Sequence, residues 1–199
     1  MTNRNRTLTG LTILLYASIK NPCAAAEPVD SKIVLHVEDF ASLVSPTLAD
    51  AANEVTGVFM QAGVHVKWTS GRRPVNAPRD GQAHVEVQIL NHQMVQRKSV
   101  AEDIPANVLG QAARQICRVS IFYDRVADLT HPQAGSEGEI LGRVIAHEIG
   151  HLFLPDHTHS DNGIMRGTFD CCPRLPPLFT VNETRIIQSV VAERRQCAN

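Results

Sequence analysis

The sequence predicts a single α+β domain built on one mixed sheet. Three observations carry that reading. The chain has 199 residues and an ordinary globular composition, 43% hydrophobic and 20% charged, which suits one domain with a real core. Apolar and polar residues alternate over several short stretches, as half-buried strands require. Other stretches repeat their apolar residues at helical spacing, so the order is strand, helix, strands and then two helices.

The first strand is SKIVLHVEDF (31–40), with Ile33, Leu35 and Val37 on one face. A helix follows over 45–63, where Leu48, Ala51, Val55, Val58 and Phe59 share a stripe. Ser45 or Thr47 is its expected cap and Gly63 its stop. VHVKW (64–68) is the second strand, GRRPVNAPRDG (71–81) a loop, and HVEVQIL (84–90) the third strand. Residues 91–116 leave three options open: a helix, an edge strand, or mostly loop around Pro105. RVSIFYDRV (118–126) reads as a strand ending in a polar turn. SEGEILGRVIAHEIGHLFL (136–154) reads as a helix with acidic residues at its N-terminal end, where the helix dipole favours them. Thr180 and Glu183 match a capping box that opens a last helix running to about Arg195.

The N-terminus has a different character. Arg4 and Arg6 precede the short apolar run LTGLTILLYASI, and CAAAEP offers an Ala-x-Ala site. This is the pattern of a secretory signal over residues 1–26, leaving 27–199 as the folded domain and a secreted or periplasmic location. The apolar run is too short for a membrane span. Removing residues 1–26 takes away Arg4, Arg6 and Lys20 and no acid. The balance becomes 16 basic against 20 acidic residues, a net charge of −4. Nucleic acid and anionic membrane are therefore not expected partners, because both require basic surfaces. Four cysteines remain: Cys117, Cys171, Cys172 and Cys197. In an exported chain they suggest two disulfides. Adjacent cysteines rarely pair, so Cys117 is expected to join Cys171 or Cys172, and Cys197 the other.

The chemistry is concentrated in HEIGHLFLPDHTHSDNGIM (147–165). On a helix, His147 and His151 project from one face one turn apart, a separation that suits two nitrogens on one zinc ion. Glu148 lies further round, where it can take a proton from a water. A catalytic zinc site needs a third protein ligand, and Leu154-Pro155 breaks the helix so that the chain can return. His157 and His159 both follow that break. His36, His65, His84 and His92 lie in or beside strands and read as surface residues; His131 carries no signal.

The segment resembles the metzincin clan of zinc peptidases, whose pattern is HExxHxxGxxH followed by a methionine turn. His147, Glu148, His151 and His157 fall on the clan's positions, and Met165 follows His157 by eight. The Asp156-His157 pair with its GIM turn looks most like the matrix-metalloprotease branch. Leu154 stands where the clan has glycine. A leucine at positive φ would be strained, so the turn is expected to be built differently, with Pro155 contributing. His159 is the alternative third ligand if that turn shifts the register by two.

The resemblance implies a zincin-like domain: a twisted mixed sheet, a backing helix, an active-site helix and a C-terminal helix. It also implies Zn2+ held by His147, His151 and His157 above a floor made by Met165. The function implied is an exported, monomeric endopeptidase acting on a peptide or protein substrate through a zinc-activated water, with Glu148 as general base. The alternative is a catalytically degenerate zinc-binding domain that recognises a protein; Leu154 favours it and the intact Glu148 opposes it.

Overall fold

A computed structural model describes residues 31–75, 80–130, 135–155, 159–169, 177–193 and 197. The expected signal (1–26), Asp156, His157, Cys171 and Cys172 lie outside the described residues.

Five strands form one mixed sheet: β1 (Lys32–Asp39), β2 (His65–Ser70), β3 (Ala83–Leu90), β4 (Gly110–Ala113) and β5 (Arg118–Phe122). Their order is β2-β1-β3-β5-β4. β1 runs parallel to β2 and β3, β3 runs parallel to β5, and only β4 is antiparallel, pairing Gly110 with Ile121 and Ala113 with Arg118. The alternation read in the sequence becomes the two faces of this sheet. Ile33, Leu35, Val37, Val85, Val87, Ile89, Val119 and Ile121 are buried in one continuous core.

Helix α1 (Ser45–Gln61) lays Ala51, Val55, Val58 and Phe59 into that core. Its start corrects the expected cap. Val44 occupies the cap position without a side-chain hydrogen bond, and proline stands in the first turn, where its missing N–H costs nothing. The turn into α1 is ordered instead by Asp39, whose carboxylate accepts from the Ala41 and Leu43 amides at 3.0 and 2.7 Å. The stretch left open at 91–116 holds both a helix and an edge strand: α2 (His92–Glu102), capped by Asn91, then β4. A 3-10 turn over Arg114–Ile116 leads into β5.

β5 is shorter than the expected strand 118–126, because Tyr123–Ala127 form helix α3. The reason is tertiary. As part of that helical turn, Arg125 reaches the carbonyls of Pro105 and Val108 at 2.8 and 2.6 Å and lies over the Phe122 ring at 4.8 Å.

Helix α4 (Glu137–Phe153) opens on a capping box between Ser136 and Glu139, and α5 (Val181–Ala192) on the expected one between Thr180 and Glu183. α4 is held to α1 by an Arg143–Glu54 ion pair at 2.9 Å. It buries Ile140, Leu141, Val144, Ile145, Ile149 and Leu152. A stripe that wide places the helix inside the domain rather than on its surface. Among the described residues, no helix is long and apolar enough to cross a membrane.

The disulfide expectation is corrected. Cys117 pairs with Cys197 across a sequence separation of 80, with a Cα–Cα distance of 5.3 Å. The two converge through β3: the Glu86 amide donates to the Cys117 carbonyl and the His84 amide to the Cys197 carbonyl. Neighbouring points of one strand thus hold both cysteines, which spacing along the chain does not reveal.

Candidate metal centre

His147 and His151 lie on the inner part of α4, as the helical spacing requires, and the rest of the site is built around them. The His147 Nδ1–H donates to the Ile164 carbonyl at 2.7 Å. That bond fixes the ring and leaves the Nε2 lone pair as its metal-binding face, the arrangement usual for zinc-ligating histidines. Burial is the main reason that the His147 pKa lies below its ordinary value, so the ring is neutral and its lone pair available.

The chain after α4 returns to this face. The Ser160 amide donates to the Met165 carbonyl at 2.9 Å, and Ser160 bridges to Arg166. His159 is carried back by this turn. One nitrogen each from His147, His151 and His159 lies within 4.8 Å of the others. His151 Nε2 is 3.1 Å from His147 Nε2. His159 is the exposed member of the three, with its ring centroid 5.0 Å from that of His151 and 5.5 Å from that of His147.

A second histidine pair shows why this convergence fits a metal. His36 Nε2 and His84 Nδ1 are 2.9 Å apart with centroids 5.2 Å apart and planes only 19° from parallel. Those nitrogens meet head-on, as in an N–H···N hydrogen bond. In the His147–His151 pair the nitrogens are further apart, at 3.1 Å, yet the centroids are closer, at 4.7 Å, with planes at 84°. The two rings therefore aim obliquely at a point beside them both. With a third imidazole at the same place, the donor set is three nitrogens, the number and type that a catalytic zinc site uses. The residues present fit zinc.

Met165 is fully buried, and a Cβ at Gly150 would fall 2.5 Å from its sulfur. Only glycine at 150 lets the methionine pack beneath the helical turn that carries His147 and His151. Glu148 is 7% exposed, and burial pushes its carboxyl up to about 8. It stands in the wall of a cleft of ≈ 500 Å³, with Leu109, Gly110, Val144, Arg166 and Phe169 among the other lining residues. β4, at the end of the sheet order, forms the facing rim.

No protein-family model matches the chain, and no curated protein matches it. Among solved structures it is similar to the crystal structure of archaemetzincin from Methanopyrus kandleri. The identity is 19%, with 80% of this chain and 95% of that chain covered and a TM-score of 0.46.

Of the residues singled out in the sequence, His147, Glu148, His151 and Met165 come together here. His157 lies outside the described residues, and His159 is the third histidine that the described residues bring to the site. Leu154 takes φ −86° and ψ 160°, an extended conformation without strain and one suited to a residue before proline. Position 154 is thus built without the left-handed conformation that a glycine there would supply, as expected. The segment VLGQAAR (108–114) is a candidate substrate edge in the sequence, but neither Arg114 nor Gly110 has a role of its own there. Both sit in the stretch without clear periodicity, and no local pattern marks either one.

Proposed function

We propose that the chain is an exported, zinc-dependent endopeptidase. The observation that carries this reading is the convergence of His147, His151 and His159 beside a buried Glu148 in a cleft rimmed by an edge strand. His147, His151 and His159 would hold the ion. Bound zinc would polarise the scissile carbonyl and lower the pKa of a water toward about 7.

The remaining work falls to the chain's own groups. The substrate lies extended along β4 (Gly110–Ala113), whose outer edge is open among the described residues, so that main-chain hydrogen bonds set its register. Glu148 receives the proton of the attacking water and passes it to the leaving amine. Val144, Leu109 and Phe169 give the cleft an apolar wall that excludes bulk water. Export is supported by the leader-like N-terminus and by the Cys117–Cys197 disulfide, which persists in oxidising compartments.

The test is to incubate zinc-loaded protein with a mixed peptide library, with and without a chelator, beside Glu148→Gln. Chelator-sensitive cleavage that drops by at least ~10³-fold in Glu148→Gln supports the reading. Zinc binding with no cleavage in either protein would leave a zinc-binding recognition domain instead.

A further inference from the structure

The end of helix α4 poses a problem that the resembled glycine turn would have solved. A helix leaves its last four carbonyls without partners inside the helix, and a left-handed glycine normally lets the following amides fold back onto them. Here Leu154 is extended, and its own amide returns to the Gly150 carbonyl at 2.9 Å. Pro155 has no amide to give. His151, a member of the histidine trio, lies inside this last turn, and Pro155 is the residue four positions on, so no amide returns from there to the His151 carbonyl.

Arg114 reaches this end of the helix from a distant part of the chain. It follows directly after β4, and its Nη2 donates to the carbonyl of His151 at 2.7 Å and to that of Leu154. One guanidinium nitrogen thereby holds the last turn of the helix and the first residue beyond it, 37 and 40 positions away in sequence. Its positive charge also sits where the helix dipole is negative. Arginine suits the task because its planar fork loses little freedom for each bond made.

On the reading that the trio binds zinc, we propose that Arg114 is a positioning residue of the metal centre. It fixes the His151 backbone, and with it the direction of the imidazole. By holding Leu154 it also fixes the point from which the chain departs toward His159. Because Arg114 is continuous with β4, the strand proposed to bind the substrate and the helix that carries the ligands are held in one relation.

The test measures zinc dissociation constants by chelator competition for the wild type, Arg114→Met and Arg114→Lys, far below each protein's melting temperature. Weakening of at least about tenfold in Arg114→Met is expected, the scale on which groups that orient ligands act. Arg114→Lys, which keeps the charge but not the fork, should fall between the two; it carries the test if Arg114→Met does not fold. A lowered melting temperature with a wild-type dissociation constant would show that Arg114 only stabilises the fold, and would overturn the proposal. A wild type that binds no zinc would instead defeat the underlying reading of the trio.

Discussion

Gly110 leaves no room for a side chain against Glu148. A Cβ at position 110 would stand 2.7 Å from Glu148 Cγ and 3.0 Å from its Oε1. The edge strand and the proposed general base therefore touch through a bare backbone. Alanine at 110 would have to displace a buried carboxylate side chain. Gly110→Ala should cost roughly 1–3 kcal/mol of stability, as overpacking does. It should lower kcat/KM by about 10²-fold, the usual penalty for moving a reacting group by about 1 Å. Peptide hydrolysis and thermal unfolding of the same variant check both numbers. Wild-type kcat/KM in Gly110→Ala would mean that Glu148 does not need its present position.

The third ligand is open to a direct comparison. His159→Ala should weaken zinc binding by at least about 100-fold, more than the loss of a group that merely orients a ligand. His157→Ala should stay within a few-fold of wild type. Chelator competition on the two variants decides the matter. The reverse ranking would assign the position to His157, as the metzincin spacing implies.

The Cys117–Cys197 bridge closes a loop with a sequence separation of 80. By the chain-entropy argument, a loop of that size is worth about 4 kcal/mol. The Cys117→Ser/Cys197→Ser double variant should therefore melt roughly 10 °C lower. Scanning calorimetry of the two proteins measures the difference. An unchanged melting temperature would show that other contacts already hold the start of β5 and the C-terminal segment together.

Acid should destabilise the protein through His36. Its pKa is lowered by burial first, and then by His84, Arg73 and Lys67, with Glu86 acting in the opposite sense. His84 in turn donates from Nε2 to Asp80 at 2.9 Å, while His36 contacts Thr69 at 3.2 Å. A histidine with a folded pKa below its unfolded value takes up its proton more readily in the unfolded chain. Stability is then fully present above about 6.5 and declines as pH falls from there toward the lowered folded value. In His36→Gln this decline should be shallower. Urea midpoints between about pH 7 and 5 test it; parallel slopes would rule His36 out as the source.

Much of the domain is legible in the residues because the forces that decide it are local. The alternation in 31–40 and 84–90 already separates a core face from a solvent face, since successive strand residues point to opposite sides. The Thr180–Glu183 capping box marks the start of α5 because both of its hydrogen bonds close within four residues. The 3.6-residue helical period places His147 and His151 on one face and turns Glu148 away from them. These features need nothing from the rest of the chain.

Tertiary structure decided the remainder. The helical turn after Phe122 exists because Arg125 finds carbonyls near Pro105 and Val108. The pairing of Cys117 with Cys197 depends on both backbones meeting β3. Most of all, the sequence offered two histidines after Leu154-Pro155 and a family spacing that favours His157. His159 reaches the site through the Ser160–Met165 hydrogen bond, while Arg114 secures the end of the helix from the turn that follows β4. The sequence by itself determined that two imidazoles and a carboxylate share one helix. That His159 and Arg114 also reach that face follows from where separate elements converge, because periodicity specifies the face of an element but not what will pack against it.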